Sequence, residues 1–117
     1  VMAAIDMCAQ LQRINVGRRT TGLPALRHGI GIHCGPAIVG NVGSDERLEY
    51  TVIGDTVNVA SRLENLTKEL NEEILVSETV ADLLKGDILI EPRGEMSLKG
   101  RANPVSVYSV QGAAPLV

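Results

Sequence analysis

Asn58 and Arg62 are the two side chains whose types and spacing point most directly to chemistry. They stand four residues apart in a segment that opens with Gly54-Asp55 and reads as a helix, so they share one face. Val59, Leu63, Leu66 and Leu70 mark a different, apolar face of the same helix. The polar pair falls in the first two turns, where the helix dipole favours an anion. There the planar fork of Arg62 suits a phosphoryl oxygen, and the Asn58 amide suits a sugar oxygen. Spacing alone favours a plainer reading: a solvated face with Arg62 paired to Asp55 or Glu69, because surface pairs of that kind are common. Lys99-Gly100-Arg101 is a basic turn, readable as ordinary turn residues or as a second anion contact at a strand end.

Other patterns fail on inspection. Gly29-Ile30-Gly31 begins a dinucleotide fingerprint, but Cys34 takes the place of the third glycine. Gly35 and Gly40 have phosphate-loop spacing, but Asn41 follows where lysine is required. His33 and Cys34 are adjacent on a strand and point to opposite faces, so they do not share one zinc; a hydrogen-bonded His and a packed Cys are expected instead. No nucleophile elbow is present.

Composition narrows the function classes. The 117 residues carry a formal charge of -3, with two Tyr and no Phe or Trp. Nucleic acid is therefore not an expected partner, since a basic footprint and stacking aromatics are both missing. No apolar run is long enough to span a bilayer, and no signal peptide is recognisable. Cys8 and Cys34 fall in different elements, which suggests a reducing compartment; a cytoplasmic location is expected, although a parent protein can be membrane-tethered. At 12.4 kDa one domain is expected, burying roughly two thirds of its unfolded surface in an aliphatic core.

The elements that must position these residues are legible in the periodicity. Residues 1–15 read as a helix stopped by Gly17, with a loop from Arg18 to Pro24. Residues 26–34 alternate as a strand: His28, Ile30, Ile32 and Cys34 face one way, and Gly29, Gly31 and His33 the other. Two glycines on one face admit a close backbone or ligand. Residues 37–42 and 50–53 are strands around a polar turn. Asp55 is the predicted N-cap of the helix bearing Asn58 and Arg62. A strand at 74–76 leads to a helix capped by Ser77 that ends near Lys85-Gly86. Strands at 87–91 and 105–110 close the domain, with a turn at 99–104 between them. Residues 1–110 are assigned to the domain and 111–117 to a disordered tail. The fold class is α/β, or α+β in its finer division.

The flanking sequence changes the weight of the polar pair. Arg27-His28-Gly29-Ile30-Gly31-Ile32-His33-Cys34-Gly35 runs into Ile38-Val39-Gly40-Asn41-Val42-Gly43, and Tyr50-Thr51-Val52-Ile53 into Gly54-Asp55-Thr56-Val57-Asn58-Val59-Ala60-Ser61-Arg62. This resembles the catalytic domain of the class III adenylyl and guanylyl cyclases over most of the chain. The resemblance implies a ferredoxin-like fold that works as a head-to-tail dimer. It also implies a reaction in which the ribose 3′-hydroxyl of a nucleoside triphosphate attacks its own α-phosphate and releases pyrophosphate. Asn58 matches the residue that orients the ribose, Arg62 the one that stabilises transition-state charge, and Lys99 the one near the terminal phosphates. Thr51 stands where the purine is read and leans toward ATP.

The resemblance also marks what this sequence lacks. The family's two metal-binding aspartates, which hold two Mg or Mn ions, lie upstream of the helix with which this chain opens. The second purine-reading residue lies there too. No metal ligands are therefore assigned here: Asp6 and Asp55 match neither position. The opening at Val1, inside a helical pattern, is read as part of a longer polypeptide whose fold here lacks its first strands. Alone, the chain is expected to be inactive and to dimerise or aggregate through an uncovered sheet edge. The expected function is conversion of ATP to cyclic AMP, completed by a homodimer or a cyclase partner chain. The alternatives are a guanylyl cyclase and a degenerate cyclase-like module that dimerises or holds nucleotide without turnover.

Overall fold

The computed structural model describes residues 1–44, 47–84, 86–98 and 103–113. In chain order the elements are α1 (Met2–Thr20), β1 (Ile30–Ile32), β2 (Ile38–Ser44), β3 (Arg47–Ile53), α2 (Asp55–Leu70), β4 (Ile74–Ser77), α3 (Glu78–Leu83), β5 (Ile88–Met96) and β6 (Val105–Ala113). Four strands form one sheet in the order β1-β4-β6-β5, and β2 and β3 form a separate antiparallel hairpin. β1 and β4 are parallel, while β6 runs antiparallel to both of its neighbours. Parallel strands need a long crossover, and here the hairpin and α2 supply it. The mixed α/β class agrees with the sequence reading.

β4 lies inside the sheet, and all four of its residues are buried. Its alternation splits the core in two. Ile74 and Val76 join Ala4, Cys8, Val80, Ile88 and Val110, the side covered by α1 and α3. Leu75 joins Val59, Leu63, Leu66, Met96 and Val107, the side covered by α2. The apolar stripe predicted for α2 is thus buried, with Leu70 packed at its margin. β1 divides the same way: Ile30, Ile32 and Cys34 pack toward α1, and Gly29 and Gly31 face α2.

Several boundaries differ from the sequence reading, each for a local reason. α1 runs through Gly17 to Thr20, and Gly22 makes the stop with φ of 77°. The Gly22 amide donates to the Arg19 carbonyl and the Leu23 amide to the Arg18 carbonyl at 2.8 Å, the bonding pattern of a glycine-terminated helix. β1 is only three residues long, because the backbone of Leu26 is engaged instead by Asn15, whose amide donates to it and accepts from it at 2.8 and 2.7 Å. Asp55 is the first helical residue rather than the cap; Gly54 holds the cap position with φ of 129°. Ser77 does precede α3, but its hydroxyl bonds His33 rather than the helix. β5 continues past Pro92 to Met96 through a register shift, which an edge strand tolerates. β6 runs on to Ala113, so Gln111–Ala113 are strand where a tail was expected; residues 114–117 lie outside the described residues.

β1 and β5 are the edges of the described sheet. α1 exposes Met2, Met7, Ile14 and Val16. Among the described residues, no helix is long and apolar enough to cross a membrane.

Candidate active site

The site is built on the start of α2. β3 delivers the chain to Gly54, whose positive φ turns it from strand to helix without a Cβ in the way. The Asn58 backbone N–H donates to the Gly54 carbonyl at 3.2 Å, closing the first turn. The Thr56 hydroxyl donates to the Pro36 carbonyl, which ties this turn to the loop between β1 and β2.

Two glycines set how closely α2 lies against β1. A Cβ on Gly31 would stand 2.5 Å from the Glu64 amide nitrogen and 2.6 Å from the Ala60 carbonyl oxygen. A Cβ on Gly29 would collide with the Thr67 hydroxyl. That hydroxyl is buried and donates to the Glu64 carbonyl at 2.5 Å. With Val59 and Leu63 fully buried on the sheet, the azimuth of α2 is fixed, and the face one step round the helix is left outward.

Asn58 and Arg62 occupy that outward face. Asn58 is exposed. The Arg62 side chain is 36% exposed, and its Nη1 lies 3.3 Å from Glu69 Oε1. Of the two acidic partners anticipated for Arg62, Glu69 is the one that meets it. Such an exposed pair contributes only about 0.2–1 kcal/mol, so it is readily exchanged for a stronger anion.

Thr51 lies in β3 opposite Gly40 of β2, four positions before α2 begins. Lys99 falls outside the described residues. The structure therefore brings Asn58 and Arg62 together and sets Thr51 on the strand that feeds their helix. His33 and Cys34 behave as structural residues: His33 Nδ1 is 2.6 Å from Ser77 Oγ, and Cys34 packs against the α1 side of the core. Both cysteines are free thiols.

One grouping has no counterpart in the sequence reading. Cys8, His28 and Glu73 each bring a ligand atom within 4.8 Å of the others. They come from three separated segments, so no spacing motif could have announced them. Among the described residues this is the one such grouping of three His, Cys, Asp or Glu side chains. It lies on the α1 side of the sheet. Its thiol, imidazole and single carboxylate do not suit a pair of hard Mg or Mn ions, which prefer oxygen ligands. Beside Asn58 and Arg62, no three His, Cys, Asp or Glu side chains gather among the described residues.

Comparison with known proteins gives a consistent picture. Residues 1–112 match the family model described as the adenylate and guanylate cyclase catalytic domain. The chain is 43% identical over 114 residues to Adenylate cyclase 1 of Rhizobium meliloti (strain 1021), covering 97% of this chain and 17% of the relative. It is 40% identical over 116 residues to an adenylate cyclase of Anabaena cylindrica, covering 93% of this chain and 23% of the relative. Among solved structures, the guanylyl cyclase Cya2 superposes with a TM-score of 0.79 at 30% identity, covering 97% of this chain and 56% of that one. The adenylyl cyclase CyaB from P. aeruginosa superposes with a TM-score of 0.76 at 35% identity, covering 91% and 54%. The chain thus spans less than a quarter of the length of those two curated relatives.

Proposed function

The chain belongs to the family of adenylate and guanylate cyclase catalytic domains, and on that premise we propose that it supplies the ribose- and phosphate-directed half of a site converting ATP to 3′,5′-cyclic AMP and pyrophosphate. The observation that carries this reading is the pair Asn58 and Arg62, one turn apart on the outward face at the start of α2. In the reaction the ribose 3′-oxygen bonds to the α-phosphorus. The bond from that phosphorus to the bridging oxygen of the β-phosphate breaks, and the hydroxyl proton passes to solvent. Negative charge accumulates on the α-phosphoryl oxygens and the leaving pyrophosphate.

Each residue has one task in that account. Asn58 holds the ribose so that its 3′-oxygen lies in line with the bond that breaks, an orientation effect. Arg62 meets the developing charge with a rigid fork of donors that stays protonated throughout. Glu69 occupies that fork at 3.3 Å; the triphosphate displaces it. Lys99 is assigned to the terminal phosphates and Thr51 to the purine edge. A Thr hydroxyl can accept from the exocyclic amine of adenine or donate to a carbonyl, and the relatives named adenylate cyclase support the adenine reading.

The family generally uses divalent metal ions. The described residues around α2 do not fit them, so no step through a metal is assigned to this chain. The ligands for two Mg or Mn ions are assigned to upstream residues or to a second protomer, with which the chain forms a complete site.

The test is turnover by the longest natural polypeptide that carries this sequence, supplied with Mg or Mn. ATP yielding cyclic AMP and pyrophosphate in equal amounts is the expected result. Faster conversion of GTP to cyclic GMP transfers the function to the guanylyl alternative. Binding of either nucleotide without turnover supports the degenerate module instead.

A further inference from the structure

Cys8, His28 and Glu73 take no part in the cyclase reading, yet the fold converges on them from three directions. Cys8 is buried on the inner face of α1. His28 sits two residues before β1, and Glu73 one residue before β4. Two backbone ties hold this junction. The Ile30 amide donates to the Glu73 carbonyl at 2.8 Å, which fixes the start of β1 against the start of β4. Asn15, two turns along α1 from Cys8, clamps both backbone groups of Leu26, which fixes the approach to His28. The imidazole Nε2 then stands 3.3 Å from the Cys8 Sγ. Cys8, His28 and Glu73 together line a cleft of about 240 Å³, with Gln12, Arg19 and Arg27 also in its lining.

We propose that Cys8, His28 and Glu73 form a binding site for one zinc-class divalent cation. The donor set of one sulfur, one nitrogen and one oxygen is the borderline-soft mixture that zinc accepts. The geometry agrees. Tetrahedral zinc with bonds of about 2.3 Å to sulfur and 2.0–2.1 Å to nitrogen holds those two atoms roughly 3.5 Å apart, close to the 3.3 Å seen between Cys8 and His28. The third ligand atom, on the exposed Glu73 side chain, lies within 4.8 Å of both.

An activated nucleophile is the rival use of a Cys beside a His, and the electrostatics argue against it. Burial pushes the Cys8 thiol up to about 12, with the hydrogen bond and charge of Glu73 adding to the effect. A reactive cysteine needs the opposite environment. A dication reverses that balance, since the carboxylate that discourages a bare thiolate becomes a ligand beside it. The bound ion would pin α1 to the starts of β1 and β4, and would stabilise the fold by mass action.

The full chain, stripped with a chelator, is titrated with zinc against a chromophoric competitor and with cobalt as a spectroscopic probe. One equivalent should bind, with a thiolate-to-cobalt charge-transfer band. Cys8→Ser should abolish the band, and His28→Gln and Glu73→Gln should each weaken zinc binding tenfold or more. Cys34→Ser should change neither. Absence of the band, its loss in Cys34→Ser, or unchanged affinity in both His28→Gln and Glu73→Gln overturns the proposal. Should Cys8→Ser fail to fold by circular dichroism, those two variants decide the matter. None of these readouts depends on cyclase turnover.

Discussion

Replacing Gly31 by alanine tests the idea that a single missing methyl group sets the position of α2. A Cβ there would lie 2.5 Å from the Glu64 nitrogen, 2.6 Å from the Ala60 oxygen and 2.8 Å from the Leu63 Cβ. Comfortable carbon contacts lie at roughly 3.5–4.0 Å, so the helix must retreat by about 1 Å. Two of the three obstacles are helix backbone, so no rotamer change relieves the clash. Overpacking of this kind costs about 1–3 kcal/mol. With a urea slope on the order of 1–3 kcal/mol per molar, the denaturation midpoint should fall by roughly 1 M. Ala60 and Glu64 flank Arg62, so the retreat also moves the proposed catalytic face. A misplacement of about 1 Å can cost on the order of 100-fold in rate, and turnover in the longest natural polypeptide should fall accordingly. Urea unfolding followed by circular dichroism, paired with a cyclase assay, reads both effects. Gly31→Ala within about 0.5 kcal/mol of the parent, a change typical of surface positions, and with normal turnover, would refute the packing argument.

Gly17→Ala should have the opposite sign. Gly17 lies inside α1 with nothing within 4 Å of an added Cβ, so alanine should raise stability by about 0.5–1 kcal/mol, measured by the same urea titration. Glu69→Gln should change stability by less than about 1 kcal/mol, because its pair with Arg62 is solvent-exposed. It should leave turnover equal or modestly higher, and a large loss of turnover would mean that Glu69 contributes more than a resting partner. Thr51→Cys should raise the ratio of GTP to ATP use measured as kcat/KM for each nucleotide; an unchanged ratio removes Thr51 from the purine site.

Much of this organisation was legible because it rests on side-chain period. The stripe Val59, Leu63, Leu66 places α2, and alternation from Gly29 to Cys34 assigns the two faces of β1, as the split core shows. Asn58 and Arg62 follow from that stripe, since whatever is not buried on it faces out. What was not legible depends on contacts distant in sequence. The α1 stop is the local exception: two glycines compete for it, and Gly22 takes it through backbone bonds from Gly22 and Leu23 to the Arg19 and Arg18 carbonyls. The strand before Ile30 is lost because Asn15 captures Leu26. Pro92 hides an edge strand that bends rather than ends there. The Cys8, His28, Glu73 grouping is invisible for the same reason, since only the parallel pairing of β1 with β4 beneath α1 assembles it.

The central claim is that Arg62 acts on charge that develops during cyclisation rather than on bound nucleotide. Steady-state kinetics of Arg62→Ala in the longest natural polypeptide test it most directly. The account predicts that kcat falls by roughly 100-fold or more, as for loss of one donor to a developing oxyanion, while KM for ATP moves by no more than a few-fold. A weakened KM with kcat preserved, or no change in either, would contradict it.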